Sequence, residues 1–557
     1  MLVTNSTSKS TTLRQWGHNY IADANPQLMV GDIVLIQGNF DATKMNSENA
    51  SLLMSHYVGR ISVKSLTTIG KSYKTSWLYS VTKDSKISSK VFLNHSFDNN
   101  NELLSLVVSS GLMITVFYSF IKRLTSLFFE KQTINHIVLL MLLLIFGLSF
   151  GLIRILLKEI LKLAKVPRKI SPLLEMSLVL MIYPTAIFTL VFWLITVFKT
   201  QNLLFEKKHR TIKRSLLIIV LQLMINYKVN LATTLFFSFL RSTSLIVFFL
   251  SSLEVIFHSS FPITIMESFL IWLNQFLSNR FLIVGKLNVG LGLIMVFVLL
   301  KEKELKKMIL SFSLFLLVYY FLIYGNGGYR VIYLDVKQGD STLLISPYMN
   351  EVFLIDTGKE SEYFSLKKAL NQYGIQKING IIITHYDHDH SGNIENLLND
   401  YQVGQIVDQK NLIIDTDDFN IQYYLKEVFF ENDNDNSLVF EILINELSFL
   451  FTGDASKEVE RQLLNENPSL DVFVHKLGHH GSRTSTDDYF IGKILPSFVV
   501  ISSDPSAYGH PHKEVLQTIL DYNIKTFETS KHHHIEFRLN KLYHAVVIEK
   551  QILFIER

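Results

Sequence analysis

Residues 381–393 read IIITHYDHDHSGN. Three isoleucines and a threonine make a buried-strand pattern, and His385, Asp387, Asp389 and His390 follow in a turn closed by Gly392. Two imidazoles and two carboxylates at i, i+2, i+4 and i+5 can converge on two cations from one short loop. This mixture of nitrogen and hard-oxygen donors suits Mn²⁺ or Zn²⁺. His388 falls on the other side of the alternation and is expected to face solvent or stand behind the ligands. A strand that ends in ligands predicts an α/β domain, because strand ends are where ligand groups gather in such sheets.

The flanking sequence repeats the pattern. From Tyr329 to Arg557, strand-like runs (RVIYLDV, STLLI, VFLIDTG, LSFLFTGD, FVVISS) alternate with helical ones (SLKKALNQYG, SKEVERQLLNEN, KEVLQTILDYN). Twelve of the eighteen histidines lie in this part. LFTGD (450–454), KLGHHGS (476–482) and YGHPH (508–512) each place Asp or His beside Gly after an apolar run. Asp454 is expected to bridge two metals, His479 or His480 to complete the second, and His510 to meet substrate or metal. Asp356 in FLIDTG is expected behind the ligands. Ser482 and Arg483 are candidates for phosphate contact, with a plain surface cation an equal reading of Arg483. KHHHIEF (531–537) reads as an edge strand, since the site is already supplied.

Composition sets the rest of the chain apart. Charged residues are 18% of 557 and hydrophobic residues 48%, against about 25% charged in soluble domains. Much of the chain is therefore expected to face lipid. Cysteine is absent, which excludes disulfides, thiolate metal sites and thiol nucleophiles. A net charge of +4 is too small to argue for nucleic acid alone. The opening residues have no apolar core of a signal peptide, so internal helices are expected to direct insertion. About 20 apolar residues span a bilayer as a helix. Six stretches meet that length, at 103–121, 136–157, 173–198, 231–250, 281–300 and 307–325, and two more are doubtful, at 216–226 and 261–277. Within them lie Glu175, Gln222, Asn226, Arg241, Glu254, Glu267 and Lys286. Glu175 reads as a snorkelling residue. Arg241, mid-span, is the best candidate for a channel pathway. The basic loops at 158–172 and 199–214 flank one helix and give opposite topological votes.

Residues 1–100 are more polar. GDIVLIQGNF and RISVKSLTTI read as strands of a small barrel. The expected organisation is thus multi-domain: a small OB-like β-barrel (1–100), an α-helical polytopic membrane domain (101–326), and a C-terminal α/β domain (327–557).

The set His385, Asp387, Asp389, His390 resembles the His-x-[His/Asp]-x-Asp-His signature of the metallo-β-lactamase superfamily. In order, LDVKQGDSTLL, LIDTG, THYDHDHSGN, FLFTGD, KLGHHGSRTST and YGHPH are similar to the C-terminal domain of ComEC/Rec2 competence proteins. LLSLVVSSGLMI resembles the Ser-Gly-Leu segment of that family's membrane domain, and GDIVLIQGNF its OB-fold. Four departures stand out. No apolar helices precede the barrel. Met113 replaces the family's usual His, and Asn393 a common second glycine. No histidine lies between His390 and Asp454.

The resemblance implies an αββα metallo-β-lactamase fold with two divalent ions, Mn or Zn. His385 and Asp387 would hold one ion, and Asp389 with His479 or His480 the other. His390 would join one of them, and Asp454 would bridge. It implies a multi-pass protein of the cell membrane that takes up single-stranded DNA while the metal domain degrades the other strand. Asp389 and His510 would be catalytic. The implied partners are DNA, the membrane, a DNA receptor and an ATP-driven translocase, since the chain has no phosphate-binding Gly-x-x-x-x-Gly-Lys-Ser/Thr loop; self-association stays open. Two alternatives remain: a membrane phosphodiesterase acting on cell-wall or headgroup esters, and a transporter with an inert metal domain.

Overall fold

The computed structural model describes residues 2–6, 10–15, 18–23, 28–29, 32–42, 57–82, 85, 118–123 and 137–139. It describes the chain from 150 onward except 168, 183–189, 207, 236, 279–280, 409–413, 426–429, 506–508, 549–550 and 556–557. Contacts divide it into two units, Met1–Ile283 with Leu287–Ser313, and Val284–Lys286 with Leu314–Arg557.

In the first unit, β1 (Leu2–Ser6), β2 (Ser10–Gln15), β3 (His18–Asp23), β4 (Asp32–Ala42) and β5 (Tyr57–Lys71) close into a barrel, in the order β1-β2-β3-β5-β4. β3 and β5 run parallel, and the other neighbours antiparallel. Between β4 and β5 the register shifts at Ile33/Val34 and Gln37/Gly38, each time because one residue of β5, Ile69 and then Lys64, has no partner on β4.

Among the described residues, one helix is long and apolar enough to cross a membrane, Leu305–Tyr324. The stretch 103–121 lies mostly outside the described residues, as do parts of 136–157 and 173–198. The stretch at 281–300 is not one helix. It holds the short strand β7 (Leu282–Val284), paired with β6 (Lys228–Asn230), Gly285 at φ 137°, and a 13-residue helix, Val289–Lys301. Asn288 sets that boundary: its Oδ1 accepts from the backbone N–H groups of Gly290 (2.9 Å) and Leu291 (3.3 Å), an N-cap that apolar composition does not reveal. Glu175 does not snorkel. It is buried beside equally buried Arg154 (3.6 Å) and pairs with Lys199, because a buried carboxylate needs cationic partners.

The second unit contains two sheets. β8 (Tyr329–Tyr333), β9 (Thr342–Ile345), β10 (Val352–Ile355), β11 (Lys377–Ile382) and β12 (Gln402–Val407) form one with β19 (Ile535–Leu539), β20 (His544–Ile548) and β21 (Gln551–Ile555), in the order β12-β11-β10-β9-β8-β19-β20-β21. β13 (Asn420–Tyr424), β14 (Val439–Ile444), β15 (Leu447–Phe451), β16 (Val474–Lys476), β17 (Phe498–Ile501) and β18 (Lys525–Glu528) form the other, in chain order.

Alternate residues of each strand go to different layers. Val331 and Tyr333 join Phe353, Phe440, Phe449 and Phe537 in the core between the sheets. Ile332 and Leu334 pack outward with Leu366 and Leu370 of the helix Tyr363–Gln372. Leu450 and Val499 pack outward on the other side, with Val459, Leu463 and Ile491. Strands buried on both faces read as continuous apolar runs, and the result is the expected αββα layering. The KHHHIEF segment does not supply an edge strand. β19 lies between β8 and β20, because Ile535 and Phe537 are buried core residues.

Candidate metal centre

The site assembles where strands of both sheets end. Asp356 follows β10, His385–His390 follow β11, Asp454 follows β15, His479 and His480 follow β16, and His510 follows β17. Asp340 enters from the β8–β9 loop. Carboxyl ends of parallel strands leave such loops free to carry ligands.

Backbone contacts fix the loops. Gly339 has φ 130°, and a Cβ there would sit 2.5 Å from the carbonyl oxygen of Asp389. The bare backbone lets the Asp340 N–H donate to that same oxygen at 3.1 Å. Asp356, itself at φ 56°, accepts from the Thr384 N–H and hydroxyl, both at 2.8 Å, and from His390 Nδ1 at 2.9 Å. Asn393 is fully buried, and its amide donates to the carbonyls of Thr357, Gly358 and Lys359. His479 (φ 48°) and His480 (φ 55°) are consecutive left-handed residues, a conformation that costs about 1–3 kcal/mol per residue and clusters at functional sites.

The outer ring nitrogens are all engaged. His385 Nδ1 lies 3.1 Å from the Thr384 hydroxyl, His390 Nδ1 meets Asp356, and His480 Nδ1 donates to the Ser502 carbonyl at 3.0 Å. Each Nε2 then points inward. His390 Nε2 is 3.2 Å from Asp454 Oδ1, and His480 Nε2 is 3.4 Å from Asp389 Oδ2 and 3.8 Å from Asp454 Oδ2. His385 Nε2 is 3.6 Å from Asp387 Oδ2 and 4.0 Å from Asp454 Oδ2, while His479 Nε2 is 3.8 Å from Asp454 Oδ2. The Nε2 atoms of His385, His390 and His480 and Oδ1 of Asp454 are buried without a well-aligned hydrogen bond. Buried polar atoms seldom go unsatisfied. Imidazoles held at Nδ1 with Nε2 bare are arranged as metal ligands, so these residues fit divalent ions.

The field is negative. Burial pulls the His480 imidazole down, but Asp454 and Asp340 carry it up to about 9. Burial likewise opposes protonation of His390, yet Asp454 and Asp356 raise it well above its ordinary value. Burial pushes the Asp389 carboxyl up, but His480 and His390 outweigh this and hold it at about 2. The pocket thus favours positive charge, the condition for attracting a cation.

The structure brings His385, Asp387, Asp389, His390, Asp454, His479 and His480 around Asp454. Between the two adjacent histidines, His480 is buried and reaches Asp389, whereas His479 is partly exposed. Asp387 lies at the exposed rim. The His510 ring stands 6.0 Å from His479 and 6.4 Å from His480. Burial, then His512, His480 and His479, lower it to about 4. Ser482 is buried and accepts from the Thr484 hydroxyl at 3.0 Å. The Arg483 side chain is exposed, as is His388. Arg241 falls in the helix Phe237–Phe257 of the first unit, and its side chain lies outside the described residues.

Two residues escaped the sequence reading. Asp340, His390, Asp454 and His480 each offer an atom within 4.8 Å of the others. Asp340, however, meets the rings from behind: Oδ1 is 3.4 Å from His480 Nδ1, Oδ2 is 4.0 Å from His390 Nδ1, and Oδ2 pairs with buried Lys476. Asp340 thus faces Nδ1, while Asp389 and Asp454 face Nε2. The signal for Asp340 was present, a Gly-Asp pair after an apolar strand as in FTGD. Nothing in the spacing marked Lys476.

Residues 334–439, which include the His385–His390 turn, match the family model described as Metallo-beta-lactamase superfamily. This is a metallo-beta-lactamase domain. Part of the chain is similar to ComEC-family competence proteins. It is 29% identical over 270 residues to ComE operon protein 3 of Bacillus subtilis, covering 40% of this chain and 34% of that protein. It is 27% identical over 248 residues to Recombination protein 2 of Haemophilus influenzae, covering 40% and 31%. The chain spans about a third of the length of these curated relatives. A motif mutant of a metallo-beta-lactamase from Cronobacter sakazakii aligns over 34% of this chain and 90% of its own, at 14% identity and a TM-score of 0.23. The metallo-beta-lactamase domain implies divalent-metal binding and metal-dependent hydrolysis.

Proposed function

We propose that this protein is a multi-pass membrane channel for uptake of single-stranded DNA, whose metallo-beta-lactamase domain hydrolyses phosphodiester bonds of the strand that is not transported. The observation that carries the hydrolase reading is the convergence of three bare Nε2 atoms on Asp454. His385, Asp387, Asp389, His390, Asp454 and His480 would hold two divalent ions, Mn or Zn; Asp454, which four of the imidazoles face, would serve both, with His479 in reserve at the rim.

Such ions supply an activated water and a counter-charge for phosphoryl oxygens. The chain's own groups do the rest. Asp356 and Ser502 fix the tautomers of His390 and His480. Asp340 and Lys476 close the back of the site with a neutral pair. His510, buried beside His479 and His480 and neutral across the physiological range, is assigned the role of accepting a proton from attacking water. Arg483, exposed next to buried Ser482, is the candidate for phosphate contact.

The uptake reading is supported by the competence relatives and by the membrane-length helix Leu305–Tyr324. In this reading residues 1–100, 101–326 and 327–557 are OB-like, channel and hydrolase parts. The five-stranded barrel with parallel β3 and β5 supports an OB-like module, a fold that binds oligonucleotides. The receptor and translocase remain assignments of this reading.

The test is DNA cleavage by the full chain with Mn²⁺ in detergent. Asp389→Ala should lower the rate at least about a hundredfold. Cleavage of cell-wall phosphodiesters in place of DNA would transfer the activity to another substrate, and no cleavage of either would make the domain inert.

A further inference from the structure

Away from the metal centre, the second unit holds a cavity of about 350 Å³ whose walls include Lys286, Arg330, Arg538, Glu536, Leu322 and Ile323. Its charge is unbalanced. Arg330 on β8 and Arg538 on β19 are directly opposed in the ladder, and like charges so placed repel. Glu536 is the carboxylate between them, but Arg538 takes both of its oxygens, Nε to Oε1 at 2.9 Å and Nη2 to Oε2 at 3.0 Å. Arg330 is left with a contact of 3.9 Å to Oε1 and a position over the Tyr373 ring, 5.5 Å from its centroid. Its side chain is only 12% exposed, and its guanidinium donates no hydrogen bond among the described residues.

Lys286 is the polar residue that interrupted an apolar stretch in the sequence. Its backbone N–H donates to Gln372 O at 2.9 Å, which holds it at the cavity while its ammonium makes no ion pair among the described residues. Three cations therefore meet one saturated carboxylate. A nearly buried guanidinium without acceptors is costly unless an anion completes it. Planar donors in a fork, with a lysine beside them, match a phosphate group.

The apolar wall indicates the source of that phosphate. Leu322 and Ile323 belong to the last turn of the helix Leu305–Tyr324. On the same helix Leu314, Leu317, Phe321 and Leu322 are between 57% and 69% exposed, the first three on one stripe. Tyr320 and Tyr324 pack together at its end, 4.6 Å between ring centroids, and tyrosines gather at headgroup level. We infer that the cavity binds the phosphate of an anionic phospholipid, with its acyl chains lying along the Leu317–Phe321 face. This rests on the reading that the helix crosses the membrane.

The experiment uses the purified full chain in phosphatidylcholine nanodiscs doped with phosphatidylglycerol, with retained lipid identified by native mass spectrometry. Wild type should retain phosphatidylglycerol over phosphatidylcholine. Arg330→Gln and Lys286→Gln should each reduce retention about five- to tenfold, with metal content unchanged. Lys286 is exposed, so its variant tests the site even if Arg330→Gln fails to fold. Equal retention by wild type and both variants would overturn the proposal. So would retention of inorganic phosphate or a single-stranded oligonucleotide that depends on Arg330 while lipid retention does not. Alkaline extraction of membranes tests the spanning reading separately: a chain that washes off yet holds phosphatidylglycerol through Arg330 loses that reading and keeps the site.

Discussion

At the scale of single residues, the metal centre depends on groups that never touch a metal. Asp356 holds the His390 ring and Thr384 at once. Asp356→Asn should weaken metal binding about 10- to 100-fold with the fold retained, read by chelator competition and circular dichroism. The Asp340–Lys476 pair predicts a different pattern. Lys476→Met leaves the buried Asp340 carboxylate with only the more distant rings of His480 and His390 and should destabilise by about 3 kcal/mol. Adding Asp340→Asn should recover much of that loss, which a double-mutant cycle by urea unfolding would measure. Strictly additive losses would mean that the two side chains do not act as a pair. These residues also mark what the sequence could tell. His385, Asp389 and His390 were legible because one turn carries them at short spacing. The Asp340–Lys476 contact joins positions 136 residues apart, and pairing at that distance leaves no local pattern. Asn393 read only as a replacement for a common glycine, yet its amide ties the turn to the loop after Asp356.

At the scale of elements, continuous apolar runs identified the strands, because both faces of each sheet are covered. The length rule for spanning helices failed at 281–300, where a three-residue strand and an Asn cap interrupt an apolar stretch, and the edge reading failed at β19, because sequence alone does not say which strands pair. One helix carries a titration that can be tested. Glu460, on the helix Lys457–Glu466, is fully buried and accepts from the N–H groups of Thr486 (2.9 Å) and Asp487 (2.6 Å). Burial pushes its carboxyl up from 4.5 to about 7, although those two donors oppose the shift. The folded state therefore binds this proton more tightly than the unfolded chain does. The stabilisation is complete below pH 4.5 and disappears as pH rises through about 7. Its size is about 3 kcal/mol, at roughly 1.4 kcal/mol per pH unit. Glu460→Gln keeps an acceptor for one of the two N–H groups, which bind separate oxygens of Glu460, and removes the titration. The slope of unfolding free energy against pH over that window should flatten by that amount in the variant. An unchanged slope would assign the dependence to other groups.

At the scale of the whole chain, the metal centre lies within one of two units. Every ligand candidate falls between 340 and 510, inside the unit Leu314–Arg557, while the barrel and most of the helices belong to the other. Metal binding should therefore act on one unfolding transition. A ligand present at 100 times its dissociation constant stabilises by about 2.7 kcal/mol, which for a domain of this size raises its midpoint by roughly 5–10 °C. Calorimetry of the full chain in detergent should show a transition that moves upward with Mn²⁺ and downward with chelator, beside a second that does neither. Asp454→Asn should abolish the shift, because Asp454 is the carboxylate that His385, His390, His479 and His480 all face. A single transition that moves with Mn²⁺ would mean that the units unfold as one, and two transitions that both move would mean that their stabilities are coupled. A response surviving in Asp454→Asn would place the bound ion elsewhere, and the cluster would then be a charge network without a metal.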